Sequence, residues 1–154
     1  MDTNILDKAL NFLKENYEIS FATCEDNKPR IRIFQIMKQE GTMLYFATSS
    51  KKGVYQQLKI NPNIEILAFA NKISVKCVGK VDFNVSYENQ KWIYDNNPVL
   101  QRLYNDYHSL AYFKMQIELL DYYDLKPTPP IFKHYDLINN TVGDGFVGDK
   151  YSKK

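Results

Sequence analysis

Between residues 73 and 82 apolar and polar side chains alternate with a period of two, and this pattern constrains the fold most strongly. The apolar set is Ile73, Val75, Cys77 and Val81, and the polar set is Ser74, Lys76, Lys80 and Asp82. Successive side chains of a β-strand point to opposite faces of a sheet, so this segment is predicted to be a strand with one buried face. The small Cys77 falls on the buried face, where we expect it to be a core residue.

Extended patterns of this kind recur along the chain, whereas helical spacing is confined to short segments. Strands are predicted over residues 19–24, 30–35, 43–48, 64–68, 73–82, 111–119 and 131–137, and helices over 6–13, 54–58, 86–95 and 97–106. No internal repeat or linker divides the chain. The sequence therefore predicts one mostly β domain over residues 1–154, with flanking helices and a polar tail from about Asn139 that alone would be floppy. Closure of the six or seven antiparallel strands into a small barrel would remove their exposed edges.

Composition excludes several classes of protein. The 154 residues carry 20 Lys and Arg against 18 Asp and Glu, a net charge of +2 that is too balanced for a protein relying on nucleic-acid phosphates. No apolar run approaches the ~18 residues of a membrane span, and no signal peptide is visible. The two cysteines form no disulfide framework, which favours a cytoplasmic location. The 12 Tyr and 9 Phe favour flat surfaces that meet a partner subunit or a ring-shaped ligand.

The segment Thr48-Ser49-Ser50-Lys51-Lys52 lies between a predicted strand and a predicted helix. The start of a helix has unpaired N–H groups and a partial positive charge, so acids are preferred there. Here the first turn is expected to hold two lysines instead. Hydroxyls, amides and ammonium groups that converge on one point form a phosphate site. The alternative is a solvated lysine pair that follows a serine cap.

Two arginines lie on one face of the strand that precedes this region. Arg30 and Arg32 alternate with Ile31 and Ile33, and a barrel interior seldom accepts two guanidinium groups without an anion or a wet cleft. The alternative is that this face of the strand is exposed to solvent. Gln57, on the predicted helix, could reach back to a ligand, although taken alone it is an ordinary surface glutamine.

The run from Lys28 to Phe69, KPRIRIFQIMKQEGTMLYFATSSKKGVYQQLKINPNIEILAF, resembles the core of the pyridoxamine 5'-phosphate oxidase-like, FMN-binding split-barrel family. The shared features are a basic strand, a Gly turn, an aromatic strand ending in Thr, a Ser/Lys loop, a short Gln-Leu helix and an Asn-Pro pair. The resemblance continues more weakly to Phe113 and covers about 120 residues.

The resemblance implies a six-stranded antiparallel split β-barrel that forms a homodimer with FMN at the subunit interface. It places two arginines beside the flavin and its phosphate, a strand backbone along the isoalloxazine edge, a loop around the phosphate and a closing glutamine. These cofactor-binding positions are Arg30, Arg32, Ile33, Phe34, Gln35, Thr48, Ser49, Ser50, Lys51, Lys52 and Gln57. The deazaflavin F420 or haem is the alternative cofactor.

Departures from the family narrow the expected activity. The name-giving oxidase carries an Arg/His substrate motif after a Trp near its C-terminus, whereas the single Trp here, Trp92, lies in a predicted helix. We therefore expect no oxidation of pyridoxamine phosphate. The nitroimidazole-reductase branch has a His on the aromatic strand before the phosphate loop, and this strand, Leu44 to Thr48, has none.

The expected function is that of an FMN-dependent oxidoreductase that reduces a small molecule with NAD(P)H. No catalytic acid or base is identifiable, and His108 and His134 have no ligand set around them that would form a metal site. The first alternative is a protein that stores or senses flavin without turnover. The second is a small barrel that binds single-stranded nucleic acid, against which the balanced charge argues.

Overall fold

A computed structural model describes residues 4–151, in which four helices accompany ten strands. The helices are α1 (Asn4–Glu15), α2 (Gly53–Ile60), α3 (Tyr87–Asn96) and α4 (Pro98–Leu103). The strands are β1 (Glu18–Glu25), β2 (Lys28–Gln35), β3 (Lys38–Glu40), β4 (Met43–Thr48), β5 (Asn63–Ala70), β6 (Ile73–Asp82), β7 (Ala111–Gln116), β8 (Leu119–Asp124), β9 (Ile131–Asp136) and β10 (Thr141–Asp144). None of the four helices is long and apolar enough to cross a membrane.

The strands curl into a half-barrel in which every ladder is antiparallel. The barrel path is β2–β1–β5–β6–β7–β4–β3. Its two ends do not pair with each other in the described part of the chain, so the barrel is split on the side of β2. Strand β6 is shared by two layers, because residues 73–78 pair with β8 and Val81 and Asp82 pair with β7. Strands β8, β9 and β10 thereby extend the sheet beyond the barrel.

Aromatic rings fill the barrel. Phe21 packs with ring centroids 4.7 Å from Phe34, 5.3 Å from Phe46 and 5.9 Å from Phe113. Helix α1 adds Leu6, Ala9 and Leu13, whose helical spacing places them on its buried face. Cys77 is fully buried, which confirms its expected place in the core.

The predicted mostly β split barrel is confirmed, but the prediction of six or seven strands was wrong in three places. The strand expected over residues 111–119 ends at Gln116, and the separate strand β8, from Leu119 to Asp124, was not predicted. The buried positions change parity between the two, from Phe113 and Met115 in β7 to Leu120 and Tyr122 in β8. Strand β3 has three residues, too few for a pattern to emerge. Strand β10 forms in the tail expected to be floppy. The last three tail residues, 152–154, lie outside the described part.

The helices differ from the prediction mainly in their ends. The helix expected over residues 97–106 is the shorter α4, which begins at Pro98 as expected and ends at Leu103. A short 3₁₀ helix over Tyr107–Ser109 follows it. Helix α2 begins at Gly53, so Lys51 and Lys52 precede its first turn rather than lying in it. The reason is local, since Lys52 has an extended backbone conformation.

Candidate functional site

The loop between β4 and α2 forms a tight turn around Ser49. The main-chain N–H of Lys51 donates to Ser49 Oγ at 3.2 Å, and that of Lys52 donates to the Ser49 carbonyl at 3.0 Å. Thr48 is buried, and its Oγ1 is without a hydrogen-bond partner among residues 4–151. A buried hydroxyl without a partner is costly and rare, so Thr48 Oγ1 marks a place where a ligand atom would be stabilised.

The start of α2 is electropositive and uncapped. Lys52 occupies the N-cap position without a side-chain cap hydrogen bond, and the first turn contains no acidic residue. Within residues 4–151, neither Lys51 nor Lys52 forms an ion pair. The N–H groups at the start of α2 and the two ammonium groups are therefore suited to an anion.

Arg32 belongs to a partly buried polar network on the inner face of β2. Its guanidinium donates to Thr23 Oγ1 at 2.8 Å, to Gln57 Oε1 at 2.9 Å and to the Phe21 carbonyl at 3.2 Å. Gln57 Oε1 also accepts from Thr23 Oγ1 at 2.7 Å. All of these partners are neutral, and no carboxylate of the described chain pairs with Arg32. Burial lowers the pKa of Arg32 from its ordinary value, which nevertheless leaves the group charged at neutral pH.

The network joins the arginine to the β4–α2 loop through α2. Gln57 lies one helical turn after Gly53, on the same face of the helix, because residues four apart are neighbours on a helix surface. The ring of groups from Arg32 to the α2 start carries positive charge and no negative charge. It contains no His, Cys, Asp or Glu side chain, so the arrangement is suited to holding an anion rather than to acid–base chemistry.

Arg30 lies apart from this network. Its Nε is 3.4 Å from Glu25 Oε1, and both side chains are more than 40% exposed, at 44% and 42%. The ion pair sits near the turn of the β1–β2 hairpin, where it contributes little to stability. The structure thus brings Arg32 and Gln57 together and places Arg30 elsewhere on the same face of the strand. A role for Arg30 in ligand binding stays a prediction.

Strand β2 presents a free edge at the split of the barrel. Of the described strands only β1 pairs with it, so alternate N–H and C=O groups of Ile33, Phe34 and Gln35 face away from the sheet. Phe34 packs against Phe21 in the core, whereas the Ile33 side chain is exposed. A planar ligand with donors and acceptors at its rim would find partners along this edge.

Thr23 is a site residue that the sequence prediction missed. It is buried and stands at the end of the inward series Ile19, Phe21, Thr23 of β1. A polar residue in an apolar series of period two needs a hydrogen-bond partner, so this position carried a usable signal.

Comparison with solved structures shows which proteins share this fold. A protein from Clostridium acetobutylicum related to general stress protein 26 (pyridoxinephosphate oxidase family) has a TM-score of 0.74 at 15% identity, over 90% of this chain and 99% of the other. A NimC/NimA family protein from the same organism has a TM-score of 0.68 at 22% identity, over 85% and 91%. A pyridoxamine 5'-phosphate oxidase-related, FMN-binding protein from Nostoc punctiforme has a TM-score of 0.66 at 13% identity, over 96% and 97%.

No protein-family model matches the chain, and neither does any curated protein. At sequence identities of 13–22%, the structural similarity establishes a shared fold. The split barrel predicted from the resemblance is thus confirmed as the fold that these oxidase-related, flavin-binding and NimC/NimA family proteins share.

Proposed function

We propose that the protein is a cytosolic FMN-binding flavoprotein that transfers reducing equivalents from NAD(P)H to a small molecule. The observation that carries the proposal is the half-buried guanidinium of Arg32. Its hydrogen-bond partners, which include Thr23 and Gln57, are all neutral. A half-buried charge without a counter-charge is stabilised by a bound anion, and the phosphate of FMN is such an anion. The proteins with the same fold include one described as FMN-binding.

Three parts of the chain would divide the work of binding. Lys51, Lys52 and the start of α2 would hold the phosphate, with Ser49, Ser50 and the unpartnered Thr48 Oγ1 as further polar contacts. Arg32 and Gln57 would close this end of the site. The free edge of β2 at Ile33, Phe34 and Gln35 would orient the ring by backbone hydrogen bonds. When bound, FMN supplies the redox chemistry, and the chain supplies anchoring and exclusion of water.

We further propose that two copies form the functional unit, with the flavin at their interface. The face of the sheet that points away from the core is apolar across β2 and β5, where Ile31, Ile33 and Phe69 are 72%, 63% and 67% exposed. Ile33 and Leu67 flank Ser20 in one row across β1. An apolar surface of this kind on a monomer is typical of a protein interface. A second copy would cover it and close the split side of the barrel.

The absorption spectrum of the purified protein tests the cofactor. A flavin spectrum with bands in the blue and near-ultraviolet is expected, whereas a Soret band or a deazaflavin spectrum would assign haem or F420 instead. Anaerobic addition of NADPH or NADH then tests turnover. Bleaching of the flavin much faster than that of free FMN supports the oxidoreductase, and a bound flavin that does not bleach supports the second candidate, flavin storage or sensing.

A further inference from the structure

A cleft of about 470 Å³ lies between α1, the connection from β2 to β3, and the α3–α4 corner. Its floor is apolar, since Leu13 and Ile36 are buried in it. Gln35, the last residue of the free edge of β2, lines the cleft, and no residue of the β4–α2 loop does. Its volume falls within the range of about 300–1,000 Å³ that is usual for small-molecule sites.

Two aromatic side chains line this cleft and remain nearly half exposed. Trp92 on α3 is 43% exposed and Tyr17, just after α1, is 46% exposed. Lys38 Nζ lies 4.8 Å from the centre of the Trp92 ring, donates to Asn89 Oδ1 at 2.6 Å and pairs with Glu40 at 3.3 Å. These contacts hold the indole in place at the rim. An exposed, positioned indole beside an apolar floor is a surface on which a flat ring can stack.

The charge in the cleft walls is positive. Lys14 and Lys38 line the cleft, and no Asp or Glu does. Glu40 neutralises Lys38, whereas Lys14 Nζ forms no ion pair with any carboxylate in residues 4–151. One positive charge is therefore left uncompensated at the mouth of the cleft, and it favours an anionic ligand.

One polar group in the wall lacks a partner. Gln39 donates from Nε2 to the Leu10 carbonyl at 3.0 Å, but its Oε1 is buried and accepts no hydrogen bond from the described residues. The other amides nearby are engaged, since Asn97 Nδ2 donates to the Met37 and Ile93 carbonyls at 3.0 and 2.7 Å. Gln39 Oε1 is thus a buried acceptor without a partner among the described residues.

We propose that this cleft binds a planar aromatic carboxylate, with its ring on Trp92 and its carboxylate at Lys14. Gln35 belongs both to the cleft and to the edge of β2 at which the flavin ring is proposed to lie. The assignment of this ligand as the substrate of the flavin therefore rests on the proposed function. Binding of the aromatic acid itself does not depend on the flavin.

Trp92 provides a direct test, because it is the one tryptophan in the 154 residues. Its emission, excited selectively over the tyrosines, is followed while 4-nitrobenzoate, an aromatic acid that quenches indole on contact, is added to the full-length protein. Flavin-free and flavin-loaded samples are titrated in parallel. Saturable quenching is expected in the flavin-free sample. Quenching that rises linearly with concentration, as for free N-acetyltryptophanamide, would overturn the proposal.

Two variants on the same helix test the role of the charge. Lys14→Met keeps the aliphatic stem and removes the ammonium group, and Lys8→Met is the matched control at an exposed position outside the cleft. Lys14→Met is expected to weaken 4-nitrobenzoate binding by up to about fivefold, as for a partly exposed ion pair. It should leave binding of uncharged 4-nitrobenzamide unchanged. Equal affinities of both variants for the acid would contradict the assignment of Lys14.

The same titrations separate this proposal from the proposed function. Saturable quenching in a protein that retains no flavin would support the aromatic-acid site and leave the flavoprotein assignment without support. A protein that retains flavin, but whose Trp92 emission is quenched linearly with 4-nitrobenzoate concentration, would support the flavoprotein assignment and overturn the aromatic-acid site.

Discussion

A positive charge half-buried among neutral partners is the residue-scale feature from which the candidate site follows. Arg32 donates to Thr23, Gln57 and the Phe21 carbonyl, and Gln57 Oε1 accepts from two donors at once. Loss of this one acceptor leaves both Arg32 and Thr23 short of a hydrogen bond. Removing one member of a buried polar group costs more than the bond itself is worth, since its partners remain desolvated.

Gln57→Leu is therefore expected to lower the free energy of unfolding by about 1–3 kcal/mol. The neighbouring Gln56→Leu on the exposed side of α2 is the matched control, with an expected change within about 0.5 kcal/mol. Urea unfolding of the two variants measures the difference. Equal unfolding midpoints for the two variants would mean that the Gln57 network contributes nothing to stability.

Lys52→Glu is expected to abolish flavin retention while slightly stabilising the flavin-free chain. An acid suits the start of α2 better than a lysine does, by about 0.3–1 kcal/mol, unless a bound anion reverses the preference. Lys51→Ala should reduce flavin retention less. The measurements are the flavin-to-protein ratio after purification and the melting temperature of the flavin-free forms. A Lys52→Glu protein with the flavin content of wild type would refute the phosphate assignment.

The sequence singled out the β4–α2 loop, Arg32 and Gln57 as site residues, whose role in binding stays a prediction, and the features that it missed have physical reasons. The electropositive loop was predictable because lysines before a helix oppose the helix dipole. The separation of Arg32 from Arg30 was not, because both share one face of β2 and only the position of Glu25 across the hairpin distinguishes them. The cleft that contains Trp92 and Gln39 was not predictable either, since its walls come from segments far apart in the sequence.

At the scale of elements, β6 passes from one pairing partner to another at Gly79. Its residues 73–78 pair with β8, and Val81 and Asp82 pair with β7. The backbone of β7 approaches closely there, because a Cβ on Gly79 would lie 2.6 Å from the Gln116 carbonyl oxygen and 2.6 Å from Met115 Cγ. The close approach of the two strands requires a residue without a side chain.

Gly79→Ala is expected to destabilise the fold by about 1–3 kcal/mol through this overpacking. Gly143→Ala in β10, where an added Cβ meets nothing within 4 Å, is the control and should change stability by less than about 0.5 kcal/mol. Thermal melting of both variants provides the comparison. If Gly79→Ala has the same melting temperature as the wild-type protein, β7 must be free to move away from β6.

Strand order shows where sequence patterns stop being informative. Long alternating segments such as β6 were identified because each side faces a uniform environment. The end of β7 at Gln116 and the start of β8 at Leu119 depend on β6 having two partners, which is a tertiary property. Strand β10 forms because β9 offers it a pairing edge, and its own sequence of Thr, Val, Gly and Asp carries almost no signal.

At the scale of the whole molecule, Phe69→Glu is expected to weaken self-association, because it places a charge on the apolar outer face of the sheet. Leu103→Glu on α4, another exposed apolar position at 61%, is the control and should remain dimeric. Sedimentation at micromolar concentration measures the mass against the 18.1 kDa monomer. Flavin affinity should fall as wild type is diluted. A wild-type monomer that keeps its flavin would exclude the shared site.

The free edge of β2 has a consequence for how the chain behaves when ligand and partner are scarce. Its two exposed apolar side chains, Ile31 and Ile33, follow Pro29. Proline is tolerated in a strand mainly at an edge, and because it lacks an N–H group it opposes the hydrogen-bonded addition of a further strand there. We therefore expect Pro29 to hinder aggregation through this edge. The protection matters most in newly synthesised chains, in which exposed strand edges are not yet covered.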